Sequence, residues 1–164
     1  QYGMRWAWPP EGIGVLFGVI IVVTPFLYWS AKSGQNWDVY PQLRKSRWTW
    51  SLHFKNLLTW MIYLSGYEFF FRGYILFTAA EYLDAWTAIW LTTLVYMCVH
   101  LPKNASETFG CIPIGLLFGW VSLETGSIMP AVLAHIWIAS ANDLIAFHVN
   151  PQFTFGGSTQ IKER

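Results

Sequence analysis

The sequence predicts an all-α membrane protein, a polytopic helical bundle of about five transmembrane helices forming one domain over 1–164. Three observations carry that expectation. Hydrophobic residues make up 54% of the 164 and charged residues only 12%, whereas soluble domains carry about a quarter charged residues. Runs with little or no charge recur at close to the ~20 residues needed to cross the hydrocarbon core. Finally, Lys and Arg between those runs collect on one side of the map that they define.

The first span, 12–31, reads GIGVLFGVIIVVTPFLYWSA and holds no charge; Pro25 is expected to kink it without preventing insertion. It lacks a small-residue cleavage site and is long enough to span, so it reads as a helix rather than a removable leader. The second span, 56–79, would be an ordinary hydrophobic segment but for Glu68 and Arg72. The third covers 85–101 and the short fourth 109–123, where Gly115 and Gly119 form a small-xxx-small pair suited to close helix approach. The fifth covers 128–149. The polar, Gly-rich tail at 151–164 is expected to be mobile.

Loop charges orient these spans. Lys32, Arg44, Lys45, Arg47 and Lys55 separate the first two, and placing them in the cytoplasm puts Lys103, Lys162 and Arg164 there too. Glu81, Asp84 and Glu124 fall on the opposite side, with Arg5 its one basic residue. The expected topology is multi-pass, with the amino terminus outside and the carboxyl terminus cytoplasmic. Trp6, Trp8, Trp29, Trp48, Trp50 and Tyr82 near span ends fit interfacial belts.

Several function classes drop out. A net charge of +1 without a dense basic stripe lacks the footprint of a nucleic-acid binder. Five spans with no inverted repeat or paired broken segments argue against a transporter. Cys98 and Cys111 lie in apolar stretches, which suits packing rather than a disulfide framework.

The polar residues inside the spans point to a site. Glu68, Arg72, His100, His135, Asn142 and Asp143 lie in segments where an ionisable group costs about 2.5–3.5 kcal/mol on insertion scales, so such groups normally turn inward toward partners or water. Glu68 and Arg72 are spaced i, i+4 with Glu first, the better orientation for a pair on one helix face. That pair can equally pin one helix to its neighbours. His100 precedes Leu101-Pro102, where the proline is expected to end the helix, and a helix-end histidine has a structural reading of its own. His135 lies well within its span. Asn142 follows two turns later on the same face, ~10 Å along the axis, with Asp143 roughly 80° further round.

A carboxylate and two imidazoles from three helices can activate water and stabilise an oxyanion. The same set can bind a metal, but HExxH is absent and the cysteines lack ligand spacing, so a metal-free, cofactor-free site is expected. Counted from the outer face, His100 lies about 24 Å deep and His135 about 12 Å. Bringing them together requires staggered, tilted or broken helices.

The order of these residues resembles a known family. Glu68 and Arg72 in YEFFFRG, Tyr96 and His100 in YMCVH, and His135 in GSIMPAVLAH are similar to the motifs of the CPBP or ABI family. That family includes the type II CAAX prenyl endopeptidases and bacteriocin self-immunity proteins, and the likeness runs over about 57–144. It implies a CPBP-type helical core and glutamate-dependent intramembrane proteolysis, with Glu68 and His100 near the attacking water, His135 near the oxyanion and Arg72 orienting the carboxylate. Two positions depart from the family pattern: Tyr67 stands where a first glutamate is usual, and Ala139 where Asn or Asp is expected. Either Glu68 acts as base with Asn142 or Asp143 replacing the amide, or proteolysis is lost. The first reading implies the bilayer and a membrane-associated or lipidated peptide as partners; the second, a scaffold or subunit, adds other membrane subunits.

Overall fold

The computed structural model describes residues 2–5, 9–34, 37–102 and 105–156. Trp6, Trp8, Lys103, Lys162 and Arg164, which carried part of the belt and charge arguments, lie outside the described residues.

Helix α1 spans Pro10–Lys32, with Pro at its first position, Glu11 in the first turn and Lys32 in the last. Each suits the helix end at which it sits. A connection follows to the two-residue strand β1, Arg47–Trp48. Helix α2, Trp50–Glu68, starts where the Thr49 hydroxyl accepts the Leu52 N–H at 3.3 Å. Without a break in the chain's helical path, α2 passes into a π-helical segment, Phe69–Ile75, and then into α3, Leu76–Tyr82. Helix α4, Ala85–Cys98, is capped by Asp84. Helices α5, Ala105–Thr125, and α6, Met129–Val149, complete the bundle before strand β2, Thr154–Phe155.

The chain is an all-helical, multi-pass membrane protein. Three helical stretches are long and apolar enough to cross a bilayer: Pro10–Lys32, Glu107–Thr125 and Met129–Val149. Helix α4 is a shorter apolar helix of 14 residues. The second expected span corresponds to the run from α2 through α3, whose polar interior lowers its hydropathy. Ile21, Val22, Phe26, Ile62 and Trp86 are among many large apolar side chains left exposed, as a lipid-facing surface requires.

Packing follows the small residues. Helix α1 lies along α6, and α4 lies along α5. Val19, Phe118, Ala131 and Ala134 form one buried cluster between α1, α5 and α6, and Leu76, Ala88 and Ile89 form another. A β-carbon on Gly115 would stand 2.8 Å from Thr93 Cγ2, and one on Gly119 would stand 3.0 Å from Ile89 Cγ2. The glycine pair is therefore the surface against which α4 makes its close approach.

Two boundaries differ from expectation in ways that matter. The third span stops at Cys98, so His100 occupies a turn after the helix, its N–H bonding Met97 O at 3.0 Å. The tail is not wholly loose: β2 pairs in parallel with β1, Arg47 opposite Thr154 and Trp48 opposite Phe155. Backbone pairing supplied by a distant loop holds a segment whose own composition reads as unstructured. The rest of that tail, 157–164, lies outside the described residues.

Candidate active site

Glu68 ends α2 and is fully buried, and Arg72 lies one turn on inside the π segment. Phe71, Arg72 and Gly73 are buried consecutively. The wide turn lets one short stretch face inward on several sides. Arg72 Nη1 reaches Glu68 Oε1 and Oε2, each at 3.2 Å. Its guanidinium also lies 4.2 Å from the centre of the Tyr96 ring, with Phe118 at 5.6 Å and Phe71 at 6.0 Å. Aromatic faces thus share the stabilisation of a cation that water cannot reach.

His135, from α6, also reaches the Glu68 carboxylate, its Nδ1 lying 2.5 Å from Oε1. An ionised carboxylate can only accept, so Nδ1 donates and Nε2 of the neutral ring carries the lone pair. His100 is held in the same tautomer by different means: its Nδ1 donates to Tyr96 O at 3.0 Å, and its own carbonyl accepts from the Thr108 hydroxyl at 3.0 Å.

The two histidines share neighbours. The Tyr96 ring lies 4.7 Å from His100 and 6.3 Å from His135, and the Tyr67 ring lies 6.3 Å and 5.8 Å from the same pair. The two tyrosine rings bridge the histidines, so both imidazoles border one site although they lie at different distances along their helices.

Both histidines line a cavity of about 1050 Å³, along with Tyr67 and Tyr96. Glu68 and Arg72 are not part of its wall and act from behind His135. The cavity also reaches Val22 and Phe26 on α1 and Tyr63 on α2, all exposed on the apolar surface. Among the described residues no three His, Cys, Asp or Glu side chains come together as a metal-ligand set.

Asn142 lines the same cavity. It sits with Tyr40 and Glu107: the Tyr40 hydroxyl donates to Glu107 Oε2 at 3.3 Å, with the Asn142 amide alongside. Burial first, and the Glu107 carboxylate next, push the Tyr40 phenol well above its ordinary value. Asp143 has a different function again. Oδ1 accepts the Gln42 N–H at 3.0 Å, while Oδ2 accepts from Asn56 Nδ2 at 2.9 Å and from the Trp60 indole at 2.7 Å. These bonds tie the α1–α2 connection and α2 to α6.

Tyr40 and Glu107 carried no mark in the sequence as site residues. Tyr40 lies in a connection without periodicity, and Glu107 falls ahead of the expected fourth span although it lies within α5. A carboxylate just before an apolar run was the available signal.

A protein-family model described as Rce1-like, type II CAAX prenyl endopeptidase Rce1-like, matches residues 48–141. The match covers more than half of the chain and includes Glu68, Arg72, His100 and His135. No curated protein and no solved structure matches the chain.

Proposed function

Because the chain belongs to the Rce1-like family of type II CAAX prenyl endopeptidases, we propose that it is an intramembrane endopeptidase that hydrolyses a peptide bond in a membrane-associated or lipidated substrate. The observation that carries this reading is the buried Glu68 carboxylate bonded to His135 at the wall of a cavity shared with His100.

His135 Nε2 takes a proton from water as the water oxygen attacks the carbonyl carbon, and Glu68 steadies the imidazolium that results. Arg72 holds Glu68 ionised and oriented. The C–N bond then breaks, and His135 returns the proton to the departing nitrogen. Glu68 therefore acts through His135 rather than on water directly, which alters the roles implied by the resemblance. His100 lines the cavity beside them and helps to place water. Asn142, beside Tyr40 in the same cavity, contributes to substrate binding. The cytoplasmic basic loop and the opposite acidic ends support an amino terminus outside and a carboxyl terminus inside.

The test is cleavage of a farnesylated CAAX peptide by the purified, reconstituted chain, followed by mass spectrometry. Glu68→Gln, His135→Ala and His100→Ala are each expected to lower turnover at least 100-fold, the lower range for a positioned general base. Wild-type rates in all three would remove the assignment.

A second reading is a non-catalytic scaffold or a subunit of a larger membrane complex. It is favoured by the complete burial of Glu68 beside Arg72, an arrangement that also serves as a structural pin. It requires a stoichiometric partner that stays bound when Glu68 is changed to Gln.

A further inference from the structure

Tyr67 precedes Glu68 on α2, so the two side chains diverge by about 100°. Glu68 turns to His135 and Arg72, while Tyr67 lines the cavity. Its ring is fixed by Tyr63 at 5.8 Å, Phe71 at 4.7 Å and Tyr96 at 5.8 Å, and it meets both histidines edge-on. The ring is held by five aromatic neighbours, yet the Tyr67 hydroxyl is buried with no hydrogen-bond partner. A buried hydroxyl in that state calls for a specific explanation.

Peptide hydrolysis supplies one. Negative charge develops on the carbonyl oxygen as water adds, and a fixed donor aimed at that oxygen lowers the barrier. Several neighbouring polar groups are engaged by other partners or lie outside the cavity wall. His135 and His100 direct their Nδ1 protons to Glu68 and to the Tyr96 carbonyl. Asp143 accepts from Gln42, Asn56 and Trp60, Asn142 lies by Tyr40, and Arg72 lies behind the cavity wall.

We propose that the Tyr67 hydroxyl is a catalytic hydrogen-bond donor to the carbonyl oxygen of the bond being cut. This inference rests on the endopeptidase reading. The water oxygen bonds to carbon as its proton passes to His135 Nε2, and the carbonyl π pair moves onto oxygen. Tyr67 donates to that oxygen without losing its proton. When the pair re-forms the carbonyl, the C–N bond breaks, the nitrogen takes the proton from His135, and Tyr67 is unchanged.

Tyr67→Phe keeps the ring and its packing while deleting the donor. With the farnesylated CAAX peptide, kcat is expected to fall about 10²–10³-fold with KM within about threefold, the size found for losing one such donor. An infrared difference spectrum of a bound, ¹³C-carbonyl peptide aldehyde gives a readout that needs no turnover. Its carbonyl stretch is expected at lower wavenumber in wild type than in Tyr67→Phe. Should the Phe variant not accumulate, 3,5-difluorotyrosine at position 67, a stronger donor, is expected to lower the stretch further. Unchanged kcat, an unchanged band or no bound aldehyde would each overturn the donor assignment. If wild type cuts no prenylated peptide, the endopeptidase reading fails and the donor assignment with it; if wild type cuts the peptide and Tyr67→Phe cuts it equally fast, the donor assignment alone fails.

Discussion

Asp143 and Trp60 are joined across the α2–α6 interface by a 2.7 Å hydrogen bond, the shortest of three that converge on one buried carboxylate. The neighbouring position, Asn142, faces the cavity, so adjacent residues divide between structure and site.

Removing the carboxylate is therefore expected to cost stability before it costs chemistry. Asp143→Ala leaves the Gln42, Asn56 and Trp60 donors without their acceptor, a loss of about 3 kcal/mol by the scale for bonds to a charged group. Chemical unfolding in detergent, followed by tryptophan fluorescence, checks this against wild type. An unchanged midpoint would show that these bonds hold nothing together.

Packing between α4 and α5 admits a more local test. Gly115→Ala places a methyl group against Thr93 and is expected to destabilise by about 1–3 kcal/mol, the range for overpacking. Adding Thr93→Ala removes the nearest atoms and is expected to recover most of the loss. Gly110 has nothing within 4 Å of a built β-carbon, so Gly110→Ala is the neutral or stabilising control. The thermal midpoints of the four proteins decide it.

Asp84, outside the spans, gives the pH dependence. Its Oδ1 accepts the Thr87 N–H at 3.1 Å and its Oδ2 the Thr87 hydroxyl at 2.5 Å, and these bonds hold its carboxyl below the ordinary 3.8. A depressed folded value means that the stabilisation is complete above the unfolded pKa and fades as pH falls through the folded one. The melting-temperature gap between wild type and Asp84→Ala is thus expected to be constant from pH 7 to 5 and to narrow below pH 4.

The sequence made the architecture and the histidine–glutamate set legible because bilayer crossing imposes a length and a polarity that few side chains violate. Glu68, Arg72, His100 and His135 stood out as violations, and the structure gathers them. Asn142 and Asp143 stood out equally, yet Tyr40 and Gln42, which meet them, come from the connection before α2, whose path has no periodic signature, and Asn56 and Trp60 on α2 carried no mark as partners of Asp143. Tyr67 was hidden for another reason. It read as the absence of a carboxylate, and only its contacts give the hydroxyl a chemical meaning. The pairing of β2 was likewise invisible, since two-residue strands carry almost no pattern.

The π-helical stretch has one last consequence. Its hydrogen bonds reach one residue further than in an α-helix, as from the Leu76 N–H to Phe71 O. Deleting a single residue there would let the coil tighten to ordinary pitch, and because the wide turn had taken up just that residue, Leu76 would keep its place against Ala88 and Ile89 while the inward run of Phe71, Arg72 and Gly73 was lost. The stretch works like an expansion joint: it takes up one extra residue without turning one half of the rod against the other.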